Sequence, residues 1–186
     1  MKKIYFTPLT KLAIIAAILT IFAIMAVSAI KAEATQPEEA KPEIELVCVW
    51  DNVPLDIELQ EFVVEECKKH DIRPQIIFAM MQAESGFNAE SIGDKGQSFG
   101  LMQIQPRWHY KKMLELNCTN LFDAKQNITV GISILADLIA QGKGVEWALT
   151  AYNAGASNAD TATDRSYALA VLNLAENWGR TYVKAS

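Results

Sequence analysis

Between Ile77 and Ile104 an apolar run with helical spacing meets an acid and stops. Ile77, Met80 and Met81 lead to Glu84 at that spacing, so its carboxylate falls on or beside the face that packs inward. Gly86 is a helix stop, which puts Glu84 in the last turn, where the negative end of the helix dipole disfavours a further negative charge. A glycine-, serine- and aspartate-rich stretch then leads to Gly100-Leu101-Met102-Gln103-Ile104. If that stretch covers Glu84, desolvation acts with the dipole and both raise the carboxyl pKa. The plain alternative is a helix ending with its acid in solvent. A carboxyl group still protonated near neutral pH is what general-acid cleavage of a glycosidic bond requires.

The rest of the folded portion reads as a succession of helices. Pro54-Leu55-Asp56 starts one that carries Ile57, Phe62, Val63, Val64 and Cys67 and finishes on Lys68, Lys69 and His70, in the favourable dipole sense. Pro74 suits the first turn of the helix that bears Glu84. Gly93 to Ser98 is turn chemistry, consistent with a short hairpin, and another helix starts near Trp108. Asp123 and Gln126 have the spacing of a capping box for a long helix through Ile128, Ile132, Leu135 and Ile139, ending at Gly142. Val145 to Asn153 and Ser166 to Asn177 complete the set. The expected fold is mainly α, with one small β excursion.

Ahead of this portion, Lys2, Lys3 and Lys11 precede an apolar run from Leu12 to Ile30, broken only by Thr20 and Ser28. Its length is near the ~20 residues that cross a bilayer. It reads either as a signal peptide, with small residues at Val27 and Ala29 or at Ala32 and Ala34 for cleavage, or as a retained membrane anchor. Both readings export the remainder across the cytoplasmic membrane, to be secreted, held at the cell wall or left anchored with the domain outside. Residues 31–49 read as a flexible linker and residues 50–186 as the folded domain, because Lys31 to Glu45 has too few large apolar residues to fold.

From Ile44 onward 18 acids face 12 Lys and Arg, which argues against nucleic acid and is no obvious match for an anionic polymer. Cys67 and Cys118 can pair as a disulfide that leaves Cys48 over, or all three can stay reduced. No Cys or His spacing suits a metal, His70 and His109 read as surface or helix-end residues, and no cofactor is implied.

Four segments together carry a resemblance: Glu84-Ser85-Gly86, Gly100-Leu101-Met102-Gln103-Ile104, Asn127-Ile128 with Gly131, and Ala151-Tyr152-Asn153-Ala154-Gly155. In this order they resemble the successive motifs of the soluble-type lytic transglycosylases, relatives in fold of goose-type lysozyme. The resemblance spans about Ile72 to Leu172. It implies an α+β lysozyme-like domain with its groove where helix ends meet the hairpin loop, and a lyase that cleaves the MurNAc-β-1,4-GlcNAc bond of peptidoglycan. Glu84 would be the sole acid/base, leaving 1,6-anhydro-MurNAc ends.

The same resemblance assigns substrate-binding roles to Ser98, Met102, Gln103, Tyr152, Asn153 and Tyr167, with Tyr152 close to the glutamate. Read from their chemistry, Gly100 lets backbone approach the sugar, Gln103 offers an amide, and Met102 adapts to a sugar face; a buried strand is the alternative. Trp108, Trp147 and Trp178 are core anchors first and sugar platforms second. Ala156 departs from the family, where proline is common after the glycine.

A hydrolase with two carboxylates would need the second at about 5–5.5 Å or about 6.5–9.5 Å. Glu90 and Asp94 are nearest in sequence, and neither matches a family position. A lysozyme-like muramidase and a noncatalytic peptidoglycan-binding module are the alternative functions. As partners the resemblance implies the glycan strands of peptidoglycan and a secretion, conjugation or phage machinery.

Overall fold

The computed structural model describes residues 9, 16–17, 19–26 and 46–184. The chain divides into two units, Met1–Ile44 and Glu45–Ser186. In the first, residues 19–26 are helical, and among the described residues no helix is long and apolar enough to cross a membrane. The cleavage sites of the leader and residues 31–45 of the expected linker lie outside the described residues.

The second unit opens on strand β1 (Leu46–Trp50), which begins inside the stretch expected to be linker. It pairs antiparallel with β4 (Arg180–Lys184) at the other end of the unit, Trp50 opposite Arg180. Neither strand was expected, because each is short and its partner lies far off in sequence. Buried Gln60 secures the junction, accepting from the Trp50 N–H at 2.8 Å while its amide donates to the carbonyls of Val53 and Leu55. The Trp50 ring packs on Phe78 with centroids 5.7 Å apart.

Helix α1 (Ile57–Lys69) is capped by Asp56, whose carboxylate accepts from the Leu59 N–H at 2.7 Å. Helix α2 (Pro74–Ser85) begins on Pro74 and is buried without interruption from Ile76 to Met81. A helix with such a run is a core helix. It ends at Gly86, whose φ of 59° turns the chain left-handed with its N–H bonded to the Gln82 carbonyl. The turn-rich stretch forms the expected hairpin, β2 (Ile92–Gly93) against β3 (Ser98–Phe99).

Helix α3 (Pro106–Glu115) buries none of its residues, whereas α4 (Ala124–Ile139) buries Asn127, Ile128 and the run Val130 to Leu135. Asp123 caps α4 as expected, but Gln126 does not complete the box. Its side chain instead accepts from the N–H groups of Thr119 and Asn120. The helix also stops at Ile139, before Gly142. Helices α5 (Val145–Ala154), α6 (Ala156–Ala159) and α7 (Ser166–Glu176) follow, with α7 packed on α2 and α5. The result is the mainly helical fold the sequence implied. Cys67 and Cys118 are both buried and free, so the candidate disulfide is absent, and burial pushes the Cys67 thiol up to about 12. The Cys48 side chain lies outside the described residues.

Candidate active site

Glu84 emerges from the last turn of α2, half-buried, at the head of a cleft of about 590 Å³. Its carboxyl pKa is pushed up to about 7, the outcome of burial, which raises it most, a hydrogen bond from Tyr167, which lowers it, and the charge of Asp94, which raises it. Tyr167 reaches over from the first turn of α7 and donates to Glu84 Oε1 at 2.6 Å. Burial and the neighbouring acid push the Tyr167 phenol upward, so it stays a donor at any physiological pH. A glutamic acid held partly protonated near neutrality can give a proton and take one back without help from solvent.

The segment Ser98 to Gln105 forms one wall of the cleft. Asn127, fully buried on α4, ties this segment to the loop before its own helix: Oδ1 accepts from the Met102 N–H at 2.8 Å, and Nδ2 donates to the Phe99 carbonyl in the segment and to the Leu121 carbonyl outside it, both at 2.8 Å. Ser85, beside the acid, donates to the Leu101 carbonyl at 2.8 Å. The acid and the wall are therefore tied to each other through side chain to backbone bonds.

Two glycines make this approach possible. A β-carbon on Gly100 would stand 2.2 Å from Asn127 Nδ2 and 2.3 Å from the Leu121 carbonyl oxygen, and one on Gly131 would meet Met102 Sδ at 2.3 Å. Gly100 thus serves an internal contact, not the approach of backbone to substrate that its chemistry suggested.

Met102 is a clearer correction. Its side chain is 0 % exposed, packed on Gly131 and outside the cleft, because the turn aims it at α4. Its backbone is what matters. The Met102 carbonyl accepts from the Tyr152 hydroxyl at 2.9 Å, so Tyr152 bonds the wall and not Glu84, although its ring lines the cleft. Gln103 also lines the cleft, at a left-handed φ of 47°, but its amide protons go to the carbonyls of Ser91 and Gly100.

Ser98 sits at the wall 1 % exposed, donating to Asp94 Oδ2 at 2.5 Å and accepting from Gln105 at 3.0 Å. Asn153 is exposed, where the cleft meets a smaller hollow of about 360 Å³ that Tyr167 lines. Among the described residues no cluster of His, Cys, Asp and Glu could hold a metal ion.

Three cleft residues were read differently from sequence. Asp94, held by Ser98 and by Gln105 at 2.8 Å, lines the same cleft as Glu84, whereas Glu90 does not. His109, read as a surface or helix-end residue, lines it too, and burial lowers its pKa. Trp108 is no core anchor but an exposed part of the wall, while Trp147 is buried as expected. The signal for Trp108 was present: Lys111 and Lys112, not apolar residues, stand at the helical positions that would share its face.

The family profile of the Transglycosylase SLT domain matches residues 61–174. The chain belongs to that family. It is 30 % identical over 92 residues to a transglycosylase of Enterobacteria phage PRD1, a match covering 50 % of this chain and 33 % of the relative. The chain therefore spans about a third of that phage protein. Among solved structures this SLT-family fold superposes on lytic transglycosylase Slt of Pseudomonas aeruginosa, an inactive glutamate-to-glutamine mutant, and on the 70 kDa soluble lytic transglycosylase of Escherichia coli. Each match has a TM-score of 0.55 and 23 % identity, and covers 62 % of this chain and 23 % of the other. At that identity the likeness is one of fold.

Proposed function

We propose that the chain is a peptidoglycan lytic transglycosylase in which Glu84 alone transfers the protons. The observation that carries this is a carboxyl group with a pKa of about 7 at the head of an open cleft, bonded by Tyr167. Protonated Glu84 gives its hydrogen to the oxygen bridging N-acetylmuramic acid and N-acetylglucosamine, and the bond from the muramoyl anomeric carbon to that oxygen breaks. The muramoyl acetamide oxygen stabilises the developing positive charge. The Glu84 carboxylate then takes the proton from the C6 hydroxyl as O6 closes on the anomeric carbon. The product is a 1,6-anhydro sugar, no water is consumed, and Glu84 returns protonated. The role of Tyr167 is to hold the carboxyl group toward the bond; Ser98, Gln103, Tyr152 and Asn153 shape the groove around the sugars. The phage relative, itself a transglycosylase, supports the same reading.

Asp94 favours a second reading, a lysozyme-like hydrolase in which another carboxylate of the same cleft activates water. Mass spectrometry of fragments released from purified sacculi separates the two, since only the transglycosylase leaves anhydro ends. Replacing Glu84→Gln is expected to reduce fragment release by about 100- to 10,000-fold with folding intact. Undiminished release from the variant would eliminate both enzymatic readings of Glu84, and binding to sacculi without release by the parent would leave the noncatalytic wall-binding module.

We also place the folded unit outside the cytoplasmic membrane, on the strength of Lys2, Lys3 and Lys11 ahead of the apolar run Leu12 to Ile30. N-terminal sequencing of the mature product distinguishes a released form from a tethered one, and a full chain recovered in the cytosol would overturn the placement.

A further inference from the structure

We propose that Trp108 is a stacking shelf for a pyranose ring of the glycan strand, at the α3 side of the Glu84 cleft. This inference rests on the glycan-cleaving reading of that cleft and extends it to a ligand-binding residue outside the four sequence motifs.

Trp108 is 67 % exposed, although tryptophan carries the apolar area that folding most favours burying. It sits in the first turn of α3, a helix with no buried residue, and its ring borders the cleft that holds Glu84. The ring is nonetheless held in place. The Arg107 guanidinium lies over it with Cζ 4.3 Å from the ring centroid, and Arg107 Nη1 donates to Gln97 Oε1 at 3.0 Å. Gln97 belongs to the turn between β2 and β3, so one exposed side chain fastens the indole to the hairpin. Trp108 lines the cleft and Arg107 does not, so the indole borders the cleft while its cation partner stands outside the lining.

A flat aromatic surface already fixed in orientation loses little freedom when something stacks on it. What fits is a ring with an apolar C–H face and polar groups around its rim, as in a β-1,4-linked N-acetylamino sugar. Asn153, Ser157 and Asn158 border the same cleft with exposed side chains suited to the rim hydroxyl and acetamido groups. The charge balance points the same way. A domain with 18 acids and 12 bases from Ile44 onward is poorly placed to hold an anionic wall polymer by charge, so uncharged stacking and hydrogen bonding must supply the affinity.

The test uses the full chain carrying Glu84→Gln, which binds without turnover, and the tetramer of β-1,4-linked N-acetylglucosamine as probe. Calorimetry should show Trp108→Ala raising Kd about tenfold or more, with Trp108→Phe staying within about threefold. Tryptophan emission should change on titration of the parent and stay constant in Trp108→Ala. An exposed side chain is not expected to support the fold, so the melting temperature should move by less than about 2 °C. Saturable binding with the same Kd in Trp108→Ala overturns the shelf and leaves the cleft reading standing. If neither the parent nor any variant binds the tetramer or sacculi, the cleft reading fails and the shelf with it.

Discussion

The segment from Ser98 to Gln105 and the start of α3 border the same cleft, yet their polar groups are spent in opposite ways. Along the first, Ser98, Met102 and Gln103 turn their hydrogen-bonding groups to partners inside the protein: Asp94 and Gln105, Asn127 and Tyr152, Ser91 and Gly100. At the second, Trp108 stands in solvent with the Arg107 guanidinium over its ring. The first wall is therefore committed to internal bonds, one of them from Ser85 beside the acid, and the second keeps an exposed aromatic ring. Residues that stand out in the sequence as a motif need not face a cleft; here Met102 and Asn127 are fully buried.

Removing the side chain at the centre of the first wall's bonds gives the largest expected effect on stability. Asn127→Ala leaves the Met102 N–H and the Phe99 and Leu121 carbonyls without their partner, and should destabilise the fold by about 3 kcal/mol or more in chemical denaturation. Fragment release should fall with it even in the molecules that stay folded, because the wall tied to Glu84 loses its anchor. Unchanged stability would erase the distinction between the two walls.

Smaller effects distinguish the groups around the acid. Glu84 must be protonated to act, so release should decline as pH rises through about 7. Tyr167→Phe removes a hydrogen bond that favours the ionised carboxylate, so the alkaline limb should move to higher pH while the rate drops about 3- to 30-fold. Asp94→Asn removes a negative neighbour that raises the Glu84 pKa, so the limb should move to lower pH, with the smallest rate effect of the three if Glu84 works alone. Two limbs moving in the same direction would contradict the arrangement. A collapse of rate in Asp94→Asn, with anhydro ends absent from the parent's products, would favour the hydrolase.

Local rules accounted for the helices and for most of their ends, though not for the end of α4, expected at Gly142 and found at Ile139. The spacing of Ile77, Met80, Met81 and Glu84, the stop at Gly86, and the caps at Asp56 and Asp123 each depend on residues within a few positions, and the structure has α2, α1 and α4 at those places. What escaped were features whose partner is distant in the chain. The β1–β4 pair joins opposite ends of the unit; Gln126 is a nearer miss, turned to the loop at Thr119 and Asn120 instead of closing its own cap. Met102 was aimed at a sugar by its chemistry and at Gly131 by the turn that carries it.

By itself, then, the sequence determined a mainly helical domain with one acid at a helix end, since spacing, caps and stops are properties of neighbouring residues. Only the tertiary structure decided that Tyr167 and not Tyr152 bonds that acid, that Asp94 shares its cleft, and that Trp108 lies open while Met102 lies closed. Those outcomes depend on which elements pack together, and burial, hydrogen bonding and charge at a site follow from that packing.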